Sequence, residues 1–134
     1  MKKFLFLIAI TFFACASHAQ VATKLPLIAG YTIVNTGTSS RTFSATAGYS
    51  GVVIQVNLNK LSGTGAGTVQ IQGSLDNVNF ANIGSAFTIT NVTTQAAYFN
   101  IVGPLPVYLK VLSTGSGTES VVQTVYYVLR KFNN

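Results

Sequence analysis

Residues 52–61, VVIQVNLNKL, alternate strictly: Ile54, Val56 and Leu58 fall on one side of an extended chain, Gln55, Asn57 and Asn59 on the other. A period of two is that of a β-strand with one face on a core and one in water. The next six residues, SGTGAG at 62–67, read as a flexible turn. Residues 68–74, TVQIQGS, then alternate again, with Val69 and Ile71 inward and Gln70 and Gln72 outward. Gly63, Gly65 and Gly67 therefore lie between two strands, where a hairpin loop is expected; a phosphate-cradling glycine loop would lie between a strand and a helix.

The same pattern extends outward from this pair. Residues 31–35 and 41–45 read as earlier strands. Asp76-Asn77 reads as a turn, followed by short strands at 80–83 and around Phe87 and Ile89. Residues 96–102 form another strand, closed by Gly103-Pro104. Residues 106–112 place Val107, Leu109 and Val111 inward and Tyr108 and Lys110 outward. After a turn at 114–117 comes a long last strand, 119–131. It is apolar on both faces: Val121, Val125, Tyr127 and Leu129 on one, Val122, Tyr126 and Val128 on the other. An edge strand of that kind invites aggregation, so it is expected to be central or covered by a partner. No segment shows helical spacing. Eight or nine short strands with regular turns predict an all-β fold, a single antiparallel jelly-roll-like sandwich over residues 31–134.

The N-terminus reads as an export signal. Lys2 and Lys3 precede an apolar run from Phe4 to Ala14, too short to span a bilayer as a helix, and Ser17-His18-Ala19 supplies the small residues of a cleavage site before Gln20. Cys15 offers the competing reading of a lipid anchor. Residues 1–19 are thus expected to be removed and the protein to be secreted or held at the cell surface. Residues 20–30, QVATKLPLIAG, are apolar, interrupted by Pro26 and unpatterned, as expected of an edge strand or of an arm that completes a neighbour's sheet.

Removing nineteen of the 134 residues leaves 115, enough for one core and devoid of Cys, His, Met and Trp. Asp76 and Glu119 are the only acids, one assigned to a turn and one to a solvated strand end. That inventory argues against a nucleophile–histidine pair, a paired-carboxylate hydrolase, a calcium cluster and any cofactor. Six basic residues, Lys24, Arg41, Lys60, Lys110, Arg130 and Lys131, are scattered, whereas a nucleic-acid surface clusters them. Charge this sparse leaves a surface of neutral polar groups, or one covered in an assembly. Asn91-Val92-Thr93 matches a glycosylation acceptor and reads as a loop. Among the aromatic residues, Tyr49 and Tyr108 are the candidate ligand contacts, since exposed rings bind sugars by stacking.

Residues 69–84, VQIQGSLDNVNFANIG, resemble a pattern in β-sandwich domains of phage and phage-like virion proteins and of some exported bacterial relatives. There a strand ends in Gln-Gly-Ser, an Asp-containing turn follows, and an aromatic opens the next strand. The VYLKV stretch at 107–111 and the Gly-Ser-Gly turn before the last strand are similar too; Phe80 stands where Trp is frequent. The resemblance implies a jelly-roll-like sandwich used for display or assembly, and it brings no catalytic residues with it.

The function expected from these readings is an exported, non-catalytic structural subunit of a fibre or coat that forms oligomers or filaments. Leu25, Leu27, Ile28, Val122, Tyr126 and Val128 would form its assembly surface. The alternative is a small secreted carbohydrate-binding or adhesion module, with a glycan as partner.

Overall fold

The computed structural model describes residues 23–24, 28–45 and 48–131, with side chains from residue 31 onward. The expected leader, Cys15, Leu25 and Leu27 lie outside the described residues, and Ile28 is described in its backbone alone. Among the described residues there are nine strands: β1 Thr23–Lys24, β2 Ile28–Val34, β3 Thr38–Ser44, β4 Gly51–Ser62, β5 Gly67–Ser74, β6 Ala81–Ile89, β7 Thr94–Val102, β8 Tyr108–Gly115 and β9 Ser120–Arg130. No helix among the described residues is long and apolar enough to cross a membrane, a statement that leaves crossing by strands open.

The strands form two antiparallel sheets. In the five-stranded sheet β9 lies between β4 on one side and β1 and β2 on the other, and β7 forms the far edge beyond β4. The four-stranded sheet runs β3-β8-β5-β6. Apart from the β5–β6 hairpin, each connection from β2 onward carries the chain across to the other sheet, which is the jelly-roll arrangement. The glycine loop 63–66 is one of these crossings. It joins β4 in one sheet to β5 in the other, so it is not the hairpin loop that its place between two alternating strands predicts.

Alternation decides which side chains meet between the sheets. Val52, Ile54, Val56 and Leu58 of β4 and Val121, Val125 and Leu129 of β9 are buried against Val69 and Ile71 of β5 and Leu109 and Val111 of β8. Phe43 of β3 stacks on Tyr127 of β9, ring centroids 4.1 Å apart. Each such aliphatic side chain contributes about 1.5–3 kcal/mol on burial, and together they hold a domain without disulfides. The last strand is apolar on both faces because it is central. Its Val122, Tyr126 and Val128 are half-buried on the outer face among neighbours of the same chain.

Three local expectations change. The two short strands at 80–83 and around Phe87 are one strand, β6, kinked where Gly84 takes a φ of 66° and the pairing with β5 shifts. Gln70 repairs the kink, its Nε2 donating to the carbonyls of Ile83 at 3.1 Å and Gly84 at 3.3 Å. Val107 is 46% exposed instead of inward, because it precedes β8 and uses its carbonyl to accept the Ala45 N–H. Glu119 is not a solvated strand end. It is 1% exposed, because the β2–β3, β4–β5 and β8–β9 loops close over it.

Candidate functional site

Polar alternation on β4 puts Gln55, Asn57 and Asn59 on the outer face of the five-stranded sheet, and antiparallel register then decides what stands beside them. Gln55 is opposite Tyr126 of β9 and opposite Tyr98 of β7, so Tyr126, Gln55 and Tyr98 form one row across three strands. The neighbouring rows are Thr124–Asn57–Ala96 and Val128–Val53–Asn100, with Val122–Asn59–Thr94 beyond. Strands lie about 4.8 Å apart, so the two tyrosines are about 10 Å from each other at the backbone. Tyr98 is 67% exposed on the edge strand. Gln55 Nε2 donates to Asn57 Oδ1 at 2.8 Å, which holds the two amides in a fixed relative orientation.

Two hollows flank the row. One, of about 360 Å³, is lined by Asn57, Asn59, Thr94, Gln95, Ala96, Val122 and Thr124. The other, of about 400 Å³, lies on the edge side between Tyr98, Asn100 and Val102 and the kink of β6 at Ile83–Ser85. Across β9, β4 and β7, the rows from Val53 to Asn59 hold no charged residue; on β1, Lys24 stands opposite Val128 in the Val53 row. Across β9, β4 and β7 the rows offer ring faces, amides and hydroxyls.

The ligand contacts expected from sequence fall elsewhere, whereas Val122, Tyr126 and Val128 of the expected assembly surface stand on this face. Tyr108 is on the outer face of the other sheet, near Lys110, whose Nζ sits 3.8 Å from the Phe80 ring centroid. Tyr49 packs partly against the core, with Lys131 Nζ 5.3 Å from its ring centroid. Tyr126, expected in an assembly surface together with Val122 and Val128, lies in the central row. Tyr98 was missed: its alternation against Phe99 marks it as outward, but only cross-strand register reveals its partner tyrosine.

The acids are far apart. β5 runs between the two ends of the sandwich; Asp76 follows its Ser74 end, and Glu119 lies beside Gly115, which pairs with Gly67 at the other. Eight strand residues separate these ends by roughly 23 Å, far beyond the reach of a shared glycosidic bond. Asp76 is absorbed by its turn. It accepts from Ser74 Oγ at 2.7 Å, Val78 N at 2.9 Å, Asn79 N at 2.8 Å and Asn79 Nδ2 at 2.6 Å. Those donors, led by the Val78 and Asn79 amides, hold its carboxyl well below the usual range. Asn91 is likewise engaged, its Oδ1 accepting from Lys60 Nζ at 2.7 Å and Gly65 N at 3.0 Å. Among the described residues no group of three or more His, Cys, Asp or Glu is placed to hold a metal.

No family model matches the chain, and no curated protein is similar to it in sequence. Among solved structures, it is similar to the carbohydrate-binding module CBM28, described as specific for non-crystalline cellulose. The two share 9% identity and a TM-score of 0.50, over 78% of this chain and 73% of that one. At that identity the likeness is one of fold: an antiparallel β-sandwich. The virion side of the sequence resemblance gains no support from this neighbour.

Proposed function

We propose that the protein is a non-catalytic carbohydrate-binding module whose ligand platform is the outer face of the five-stranded sheet. The observation that carries this is the Tyr126–Gln55–Tyr98 row. Sugar rings present C–H faces that stack on aromatic rings, and their hydroxyls need paired donors and acceptors, which side-chain amides supply. Asn57, Asn59, Asn100 and Thr124 surround the row with such groups. The absence of charge from the β9, β4 and β7 rows around the tyrosines favours neutral glycans over uronate or sulfated ones. Tyrosines two strands apart suit an extended β-linked chain, in which every second sugar presents the same face; Gln55 then meets the sugar between them. The neighbour's cellulose specificity agrees with this ligand class, but the ligand class rests on the face.

The structural-subunit expectation finds no support. The doubly apolar last strand is central, and β1 and β2 pair with β9 of their own chain. Native affinity electrophoresis through gels containing soluble neutral β-glucans is the first test. Retardation of the wild-type protein, reduced in Tyr98→Ala, is expected; unretarded migration through β-glucan, β-mannan and xylan gels alike contradicts the proposal.

A further inference from the structure

Leu75 and Val78 are 76% and 77% exposed, the most exposed large apolar side chains among the described residues. Their turn is held from within. Ser74 Oγ accepts from Asp76 N at 3.2 Å and Asn77 N at 3.0 Å, and Asp76 accepts from Ser74, Val78 and Asn79. A turn tied in this way cannot fold the two side chains back onto the core. Single exposed aliphatics are ordinary on a protein surface, but these have company. Ser74 pairs with Tyr108, so Val107, also exposed, stands at the same end of the sandwich. Backbone bonds join the 45–50 and 103–107 connections to that end: Ala45 N donates to Val107 O at 2.8 Å, Gly103 N to Ser50 O at 2.9 Å and Ser50 N to Arg130 O at 3.0 Å.

Positive charge gathers at this end too. Lys110 Nζ lies 3.8 Å from the ring centroid of Phe80, which closes the turn, and Lys131 Nζ lies 5.3 Å from that of Tyr49, in the 45–50 connection. Arg130 and Lys131 are exposed. Asp76 is the one acid here among the described residues, so three cations stand against one anion. Aliphatic tips, flanking aromatic rings and basic side chains are what a bilayer interface accepts: apolar groups enter the acyl boundary, rings lie at headgroup depth and ammonium groups meet phosphates. We propose that this end of the sandwich docks on a bilayer carrying anionic phospholipids, with Leu75 and Val78 inserted and Lys110, Arg130 and Lys131 against the phosphates. Charge decides the occupant. A second copy in a two-fold contact would set the same cations against each other, and a neutral glycan would leave them unused. The docking end is separate from the glycan face and stands whether or not that face binds sugar.

The test is co-sedimentation of purified exported protein with vesicles of phosphatidylglycerol in phosphatidylcholine, at about 0.1 M salt, where screening reaches about 10 Å. Binding is expected to these vesicles and not to phosphatidylcholine alone. Each basic residue at an anionic surface is worth about fivefold, so Arg130→Glu/Lys131→Glu should weaken binding at least about tenfold. Leu75→Asp/Val78→Asp should abolish it while leaving Tm nearly unchanged. No binding to either vesicle, equal binding to both, or binding unmoved by either pair of substitutions overturns the proposal. Should the Leu75/Val78 pair fail to fold, the Arg130/Lys131 pair decides by itself. Self-association of the wild type without lipid, lost in Leu75→Asp/Val78→Asp, would assign the surface to a second copy and overturn it as well.

Discussion

Tyr98 and Tyr126 stand at the two ends of one row with Gln55 between them, yet only Tyr98 stands free, and their contributions can be separated. Tyr98→Ala removes a ring that is two-thirds exposed, so it should leave Tm within a degree or two and weaken glycan binding roughly tenfold, about 1.4 kcal/mol. Tyr126→Ala should cost similar affinity with a larger loss of Tm, because its ring is half-buried on a central strand. Calorimetry and circular dichroism on the same samples read both quantities. Asp76 gives the acid prediction. Its folded pKa is depressed by the turn's amides, so its contribution is full above the unfolded value near 3.8 and fades as pH falls from there toward the folded value. Asp76→Asn should therefore flatten the fall in Tm between about pH 5 and pH 2, measured against wild type by thermal melts. Asp76 was legible as a turn residue because Asp-Asn after an alternating strand has few other uses. Glu119 was not: Gly-Ser-Gly-Thr reads as a solvated loop, and only the closing of three loops buries the residue that follows. Tyr98 was legible as outward but not as a partner of Tyr126, since the two registers that join them through Gln55 are not written in any one strand.

Strands carry the energetics. β4 and β9 are central and neighbours, and Ile54 and Val125 are both fully buried. Ile54→Ala should destabilise by about 2–5 kcal/mol, read as a shift of the denaturant midpoint at unchanged slope. On β5, Gln70→Ala should cost about 1 kcal/mol, because it leaves the β6 kink carbonyls to solvent alone. The positions of nearly all strands follow from period-two runs between Gly, Asn and Ser clusters. The kink was misread as a gap because Gly84 breaks the alternation without ending the strand. The crossing at 63–66 was misread because alternation tells which face of a strand is buried and nothing about which sheet the strand joins.

For the molecule as a whole, a jelly roll with a neutral outer face accounts for the sparse charge without an assembly: amides and hydroxyls coat what charged residues usually cover. The protein is accordingly expected to sediment as one low-mass species across a hundredfold concentration range; a concentration-dependent series of oligomers would return the filament reading to favour. Because no titratable carboxylate, amine or histidine stands in the β9, β4 and β7 rows from Val53 to Asn59, glycan affinity should be flat between about pH 5 and 8. The central claim is that this face, through its two tyrosines, binds an extended neutral glycan. Isothermal titration with a soluble β-1,4-linked glucan oligosaccharide, on wild type, Tyr98→Ala, Tyr126→Ala and Gln55→Ala, tests it most directly. The account predicts binding by wild type that weakens in every single variant and vanishes in the Tyr98→Ala/Tyr126→Ala pair; binding untouched by the double substitution, with the fold intact, would contradict it.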